Sequence, residues 1–191
     1  RIDGEEAFFA ACHETGKATA ALTCVPLADA QRVAFESRFY EDLQTLEAYL
    51  IRIVTLGRSI TQRDPDFCGS FWCRSLDFVV SQLPCIYAER RVLYHQDIGN
   101  LHVQQGRFVG FYDLEMCRVG TASVQLGAAL AYVAAEPAVW PPFRAGWEEA
   151  TGEPLTPGQL RAAAAVHHLL CWRVICRYLS YDGTSGSGFP W

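Results

Sequence analysis

Apolar residues recur at steps of three and four through the first half of the chain. Phe35, Phe39, Leu43, Leu46, Leu50 and Ile53 form the longest such series. That spacing predicts one helix from Asp29 to about Leu56, with Gly57 as its natural stop. Phe8, Phe9 and Cys12 predict an earlier helix over 4–15, and Thr23 to Ala28, around Pro26, reads as a linker. Asp64-Pro65-Asp66 marks a turn, and 71–83 predicts a further amphipathic helix ended by Pro84.

The period then changes. Val92–Tyr94, Leu101–Val103 and Phe108–Tyr112 are short apolar runs, and Gln104-Gln105-Gly106-Arg107 joins the last two. This predicts a strand followed by a β-hairpin turning at the glycine. Val124–Glu136 is apolar nearly all round, which predicts a buried helix. Pro137, Pro141 and Pro142 break the chain before a helix at 143–151. Thr156-Pro157-Gly158-Gln159 is a capping box opening a last helix through Tyr181. Residues 183–191 are rich in Gly and Ser and read as a flexible tail.

Composition narrows the function classes. The chain has 191 residues, enough for one domain with a sizeable core, and 50% of them are hydrophobic. Net charge is −5 with no basic run, which argues against nucleic acid as a partner. No apolar run is long enough to span a bilayer, so no membrane partner is expected. The eight cysteines are scattered through apolar runs, with no Cys-x-x-Cys and no matched His pair. They read as reduced core thiols of a cytoplasmic protein rather than as bridges or a zinc site.

Chemistry concentrates in 92–115. His95, Asp97 and Asn100 follow the first strand, and the hairpin then delivers Asp113 and Glu115. An acid ending an apolar strand is costly to hold unless something pairs with it. Phosphoryl transfer calls for such a set: one carboxylate to orient the attacking hydroxyl, an amide and a carboxylate to hold magnesium on the phosphates.

His95-Gln96-Asp97, Asn100, the hairpin and Asp113-Leu114-Glu115 resemble the catalytic core of the aminoglycoside phosphotransferase and choline kinase family. The family's pattern is His-Gly-Asp, a few residues, Asn, a hairpin, then Asp-Trp-Glu or Asp-x-Asp. The interval from Asn100 to Asp113 agrees with it. Between Asp97 and Asn100 stand only Ile98 and Gly99, where the family has four residues. An ungapped reading puts His102 in the Asn place; Gly99-Asn100 directly before the hairpin favours Asn100. Thr121 and Gln125 stand where the family carries acids.

The resemblance implies an α+β, mostly helical chain forming the C-terminal lobe of a protein-kinase-like fold over residues 1–182. It implies an ATP-dependent phosphotransferase acting on a hydroxyl of a small molecule of aminoglycoside, amino-alcohol or sugar type, with Mg2+ as cofactor. Asp97 would be the catalytic base, with Asn100, Asp113 and Glu115 on the metal, and His95 and Gln125 would support the loop. Trp147, Trp172 and Tyr178 would line the acceptor pocket, although core packing is the ordinary role of such residues. No Gly-x-Gly-x-x-Gly stands in the chain, and its only lysine, Lys17, lies in no strand. The nucleotide lobe is therefore expected to be missing from this sequence and the 191 residues alone to be inactive. A catalytically degenerate kinase-like domain that binds a ligand or protein is the competing reading, motivated by the short loop, Thr121 and Gln125. The sequence says nothing of the oligomeric state.

Overall fold

A computed structural model describes residues 4–27, 42–65, 70–95, 101–104, 107–113, 117–132 and 136–180. In chain order they form α1 (Glu5–Cys24), α2 (Asp42–Arg63), α3 (Ser70–Ala88), β1 (Val92–His95), β2 (Leu101–Gln104), β3 (Arg107–Phe111), β4 (Cys117–Gly120), α4 (Ala122–Tyr132), α5 (Trp140–Thr151) and α6 (Pro157–Ser180). The chain is mostly helical, with two small antiparallel sheets. β1 pairs with β4, setting Val92 against Gly120 and His95 against Cys117. β2 pairs with β3 as the expected hairpin, with a register irregularity between His102 and Val103. No described helix is long and apolar enough to cross a membrane.

Helix α4 explains its own sequence. Val124 and Ala128 pack into a core shared with α2, α3 and α6 through Ile53, Val79 and Leu169. Leu126 and Ala129, on its other side, pack into a second core around Phe143 and Trp147 of α5. A helix buried between two cores has no solvent face, hence the apolar run.

Several boundaries differ from the sequence expectation. α1 runs on to Cys24 because its threonines are satisfied within the helix. Thr15 and Thr19 donate to the carbonyls of Ala11 and Thr15, and Thr23 donates to that of Ala20. Gly57 does not stop α2. A Cβ there would lie 2.3 Å from the Trp72 ring, so the glycine makes room for Trp72 rather than ending a helix. Pro84 lies inside α3. It and Val80, whose carbonyl loses its usual partner, are both exposed, so the unmade bond faces solvent. Pro141 and Pro142 do not precede α5 but occupy its first turn, where no N–H is needed. Strand β4 lies where the sequence reading assigned no element. The capping box at Thr156 forms as expected: Gln159 N–H donates to Thr156 Oγ1, and Gln159 Oε1 accepts from Thr156 N–H. The first part of the expected 29–56 helix and the 183–191 tail lie outside the described residues.

The tightest contact is between α1 and α5. A Cβ on Gly16 would lie 1.9 Å from the Phe143 carbonyl oxygen, and one on Gly146 would lie 2.0 Å from that of His13. Each helix offers a bare backbone to the other. Lys17 and His13 then flank the crossing, both reaching Glu149.

Gly16→Ala should therefore destabilise the protein by about 2 kcal/mol or more, because backbone cannot yield to the new methyl. Gly158→Ala, whose Cβ would meet only Thr156 Oγ1 at 3.8 Å, should instead stabilise by roughly 0.5–1 kcal/mol. Urea midpoints of the two variants compare them directly; equal tolerance would remove the close crossing. The seven described cysteines are all free, and Cys68 lies outside the described residues. Thiol titration of the denatured, unreduced chain should find eight.

Candidate functional site

β1 carries the first part of the expected site, and all four of its residues are buried. It ends at His95, which has no solvent exposure. The ring of His95 stacks on Phe111 at the end of β3, with centroids 5.5 Å apart. Its Nε2 lies 3.0 Å from the carbonyl oxygen of Tyr112 and 3.1 Å from that of Asp113. Carbonyl oxygens only accept, so Nε2 carries the proton and shares it between them. Nδ1 is buried with no partner among the described residues, and a proton there would be left unpaired.

The carbonyls that His95 grips belong to an unusual turn. Asp113 has φ 57°, and it is the non-glycine residue with positive φ among those described. Aspartate tolerates that left-handed conformation better than most residues. The turn leaves the Asp113 side chain exposed although the strand behind it is half-buried. One ring N–H thus fixes where β1 ends and where the Asp113 carboxylate begins.

A second bond holds β1 from below. The His95 backbone N–H donates to Oε1 of Gln125 at 2.8 Å. Gln125 lies in α4 and is fully buried, so the two cores that fix α4 also fix the strand end. Its Nε2 has no partner among the described residues. The start of α4 is itself capped. Glu89 accepts from the backbone N–H of Ser123 at 3.0 Å and from its hydroxyl, and Thr121 Oγ1 accepts from Val124 N–H. A carboxylate at a helix N-terminus is favoured by the amide dipoles.

Of the other expected site residues, the described ones lie apart from this cluster. Asp97, Asn100 and Glu115 lie outside the described residues, as does the Tyr178 side chain. His102 is exposed on β2. Trp172 is buried against Trp72, with ring centroids 4.7 Å apart, and its indole N–H donates to Ser75 Oγ at 2.8 Å. That places it in the core between α3 and α6. Ser75 also bonds His168 Nδ1 at 2.8 Å, and burial pushes the neighbouring His167 down. Trp147 borders a cleft of about 400 Å³ with Glu89, Arg90, Val92 and Glu153. Val92 lies three strand residues before His95, roughly 10 Å at about 3.3 Å per residue, so this cleft opens at the opposite end of β1.

Sequence reading missed Glu89 as a cap and Ser75 as the polar partner of His168 and Trp172. A charged stretch, Glu89-Arg90-Arg91, just before an apolar strand was the one available signal for the former. For Ser75, nothing in the sequence distinguishes it from other helical serines.

Comparison with known proteins bears on this arrangement. The model of the phosphotransferase enzyme family matches residues 9–165, well over half of the chain. No curated protein matches it.

Gln125→Leu retains volume but removes the acceptor for the His95 N–H. It should cost about 1–3 kcal/mol, the penalty of orphaning a buried donor. Hydrogen exchange at the His95 amide should accelerate more than at Val79 of α3, which would distinguish local release from general loosening.

Proposed function

The chain belongs to the phosphotransferase enzyme family, and from that premise we propose that it moves a phosphoryl group from ATP to a hydroxyl of a small molecule. The observation that carries the reading is the His95 ring N–H held by the carbonyls of Tyr112 and Asp113. It joins the strand that leads into Asp97 to the turn that presents Asp113. In this reading residues 1–182 are the C-terminal lobe of a kinase-like fold.

Asp97 orients the acceptor hydroxyl and takes its proton as the phosphoryl group arrives. It stands two residues after the anchored His95 in the chain. Asn100, Asp113 and Glu115 are the proposed magnesium ligands. The donor set fits the ion chemically, since carboxylate and amide oxygens are the hard ligands magnesium takes. Asp113 fits it in place: its exposed carboxylate sits on a turn fixed from behind by His95. Magnesium would supply charge neutralisation on the phosphates. His95 and Gln125 touch neither substrate nor ion; they position the loop, Gln125 accepting from backbone where the family carries an acid.

The acceptor's hydroxyl must reach Asp97, so Trp147 and Trp172 serve it poorly. Trp172 is enclosed in core, and the cleft at Trp147 lies at the other end of β1. An acceptor of aminoglycoside, amino-alcohol or sugar type remains the proposal. The proposed location is cytoplasmic.

Catalysis by positioning makes a definite forecast, tested on the longest chain the gene encodes. Asp97→Asn should keep magnesium-ATP binding but lower the rate roughly 10²–10⁴-fold, as removal of a positioned base does. Asp113→Ala should weaken magnesium-ATP binding as well. Titration calorimetry beside ADP release over a panel of amines, aminoglycosides and sugars reads both. Absence of magnesium-nucleotide binding, or an unchanged rate in Asp97→Asn, would replace the enzyme with the degenerate, ligand-binding domain that Gln125 and the short loop also suit.

A further inference from the structure

The cleft at the start of β1 holds charged side chains that the proposed phosphoryl chemistry does not use. It encloses about 400 Å³ between the end of α1, the chain entering β1, α5 and the connection from α5 to α6. That is within the range of small-molecule sites, about 300–1,000 Å³.

Its charges are arranged in an uncommon way. Arg90 and Glu153 both line the cleft and are both exposed. Yet neither pairs with the other, and neither forms an ion pair with any other described residue. They therefore stand more than a salt-bridge distance apart across one space. Glu89, the third charged residue there, is committed: both its oxygens are held by Ser123 at the start of α4. That contact also fills the α4 N-terminus, which leaves Arg90 as the anion-binding group of the cleft. Trp147 supplies an aromatic wall. It is only 2% exposed.

An unpaired base and an unpaired acid facing one cavity suit a ligand that carries both charges. A simple cation would meet Arg90, and a simple anion would meet Glu153 and Glu89. We infer that this cleft binds a free α-amino acid, its carboxylate on Arg90, its ammonium group at Glu153 and its side chain along Trp147. The guanidinium fork matches a carboxylate with two parallel hydrogen bonds. The site lies about 10 Å from His95 along β1 and is independent of the phosphotransferase reading.

The test uses the 191-residue chain and the standard L-amino acids, each added singly at millimolar concentration. Melting temperature and titration calorimetry are the readouts. At least one amino acid should raise the melting temperature in a dose-dependent way, since a ligand bound only by the folded state stabilises it. The N-acetyl and carboxamide derivatives of that amino acid each lack one charge. Each should bind about tenfold or more weakly, the loss of one hydrogen-bonded charge pair. Arg90→Ala and Glu153→Gln, both at exposed positions, should fold normally by circular dichroism and weaken the free amino acid to a similar degree. No shift or heat with any amino acid overturns the proposal. So does equal binding of the derivatives, or unchanged affinity in both variants.

Discussion

One hydrogen, on Nε2 of His95, holds the candidate site together. Two carbonyl oxygens share it, at 3.0 and 3.1 Å, and the His95 ring itself is fully buried. Leaving that buried N–H without an acceptor would cost about 1–3 kcal/mol. The turn at Asp113 can hold its left-handed conformation because its carbonyl is anchored there. Stacking on Phe111 fixes the ring plane, and Gln125 fixes the backbone from which the ring projects. The hairpin, β1 and α4 therefore meet at a single side chain, and the turn that carries Asp113 is tied to it.

The helices make that meeting rigid. α4 has no free face, being packed into one core with α3 and α6 and into another with α5. α5 is in turn pressed on α1 at Gly16 and Gly146, where any side chain would collide with backbone. Close packing of this kind transmits small displacements rather than absorbing them. Gln125, set in the buried middle of this frame, gives β1 a fixed reference. Its amide accepts from His95 as a carboxylate would, but without placing a charge in the core.

Much of the fold was legible because hydrophobic period reports burial. The hairpin, the buried α4 and the capped α6 follow from alternation, an apolar run and the Thr156 box. The boundaries that moved did so for tertiary reasons. Gly57 reads as a stop until Trp72 is seen against it, and Pro84 reads as one until its exposed position in α3 is known. β4, Cys-Arg-Val-Gly, has no run of β-branched or aromatic residues to signal a strand without its partner β1. At the site, the motif names His95 and Asp113, and the structure brings these two together. What the motif could not show is which atoms His95 binds, or that Glu89 caps α4, since both depend on residues distant in the chain. Aromatic composition was the least informative guide: Trp147 borders a cleft and Trp172 packs against Trp72 in the core.

The direct test of the account is the tautomer of His95. Long-range nitrogen–proton correlation on nitrogen-15-labelled protein, assigned with a His95→Phe control, reports which ring nitrogen bears hydrogen. Nε2 should be protonated, Nδ1 should be bare, and the Nε2 proton should exchange slowly with solvent, since the ring that carries it is fully buried. A ring protonated at Nδ1, or one averaging rapidly between the two forms, would mean that His95 does not tie β1 to the Asp113 turn. The site built on that tie would then be wrong.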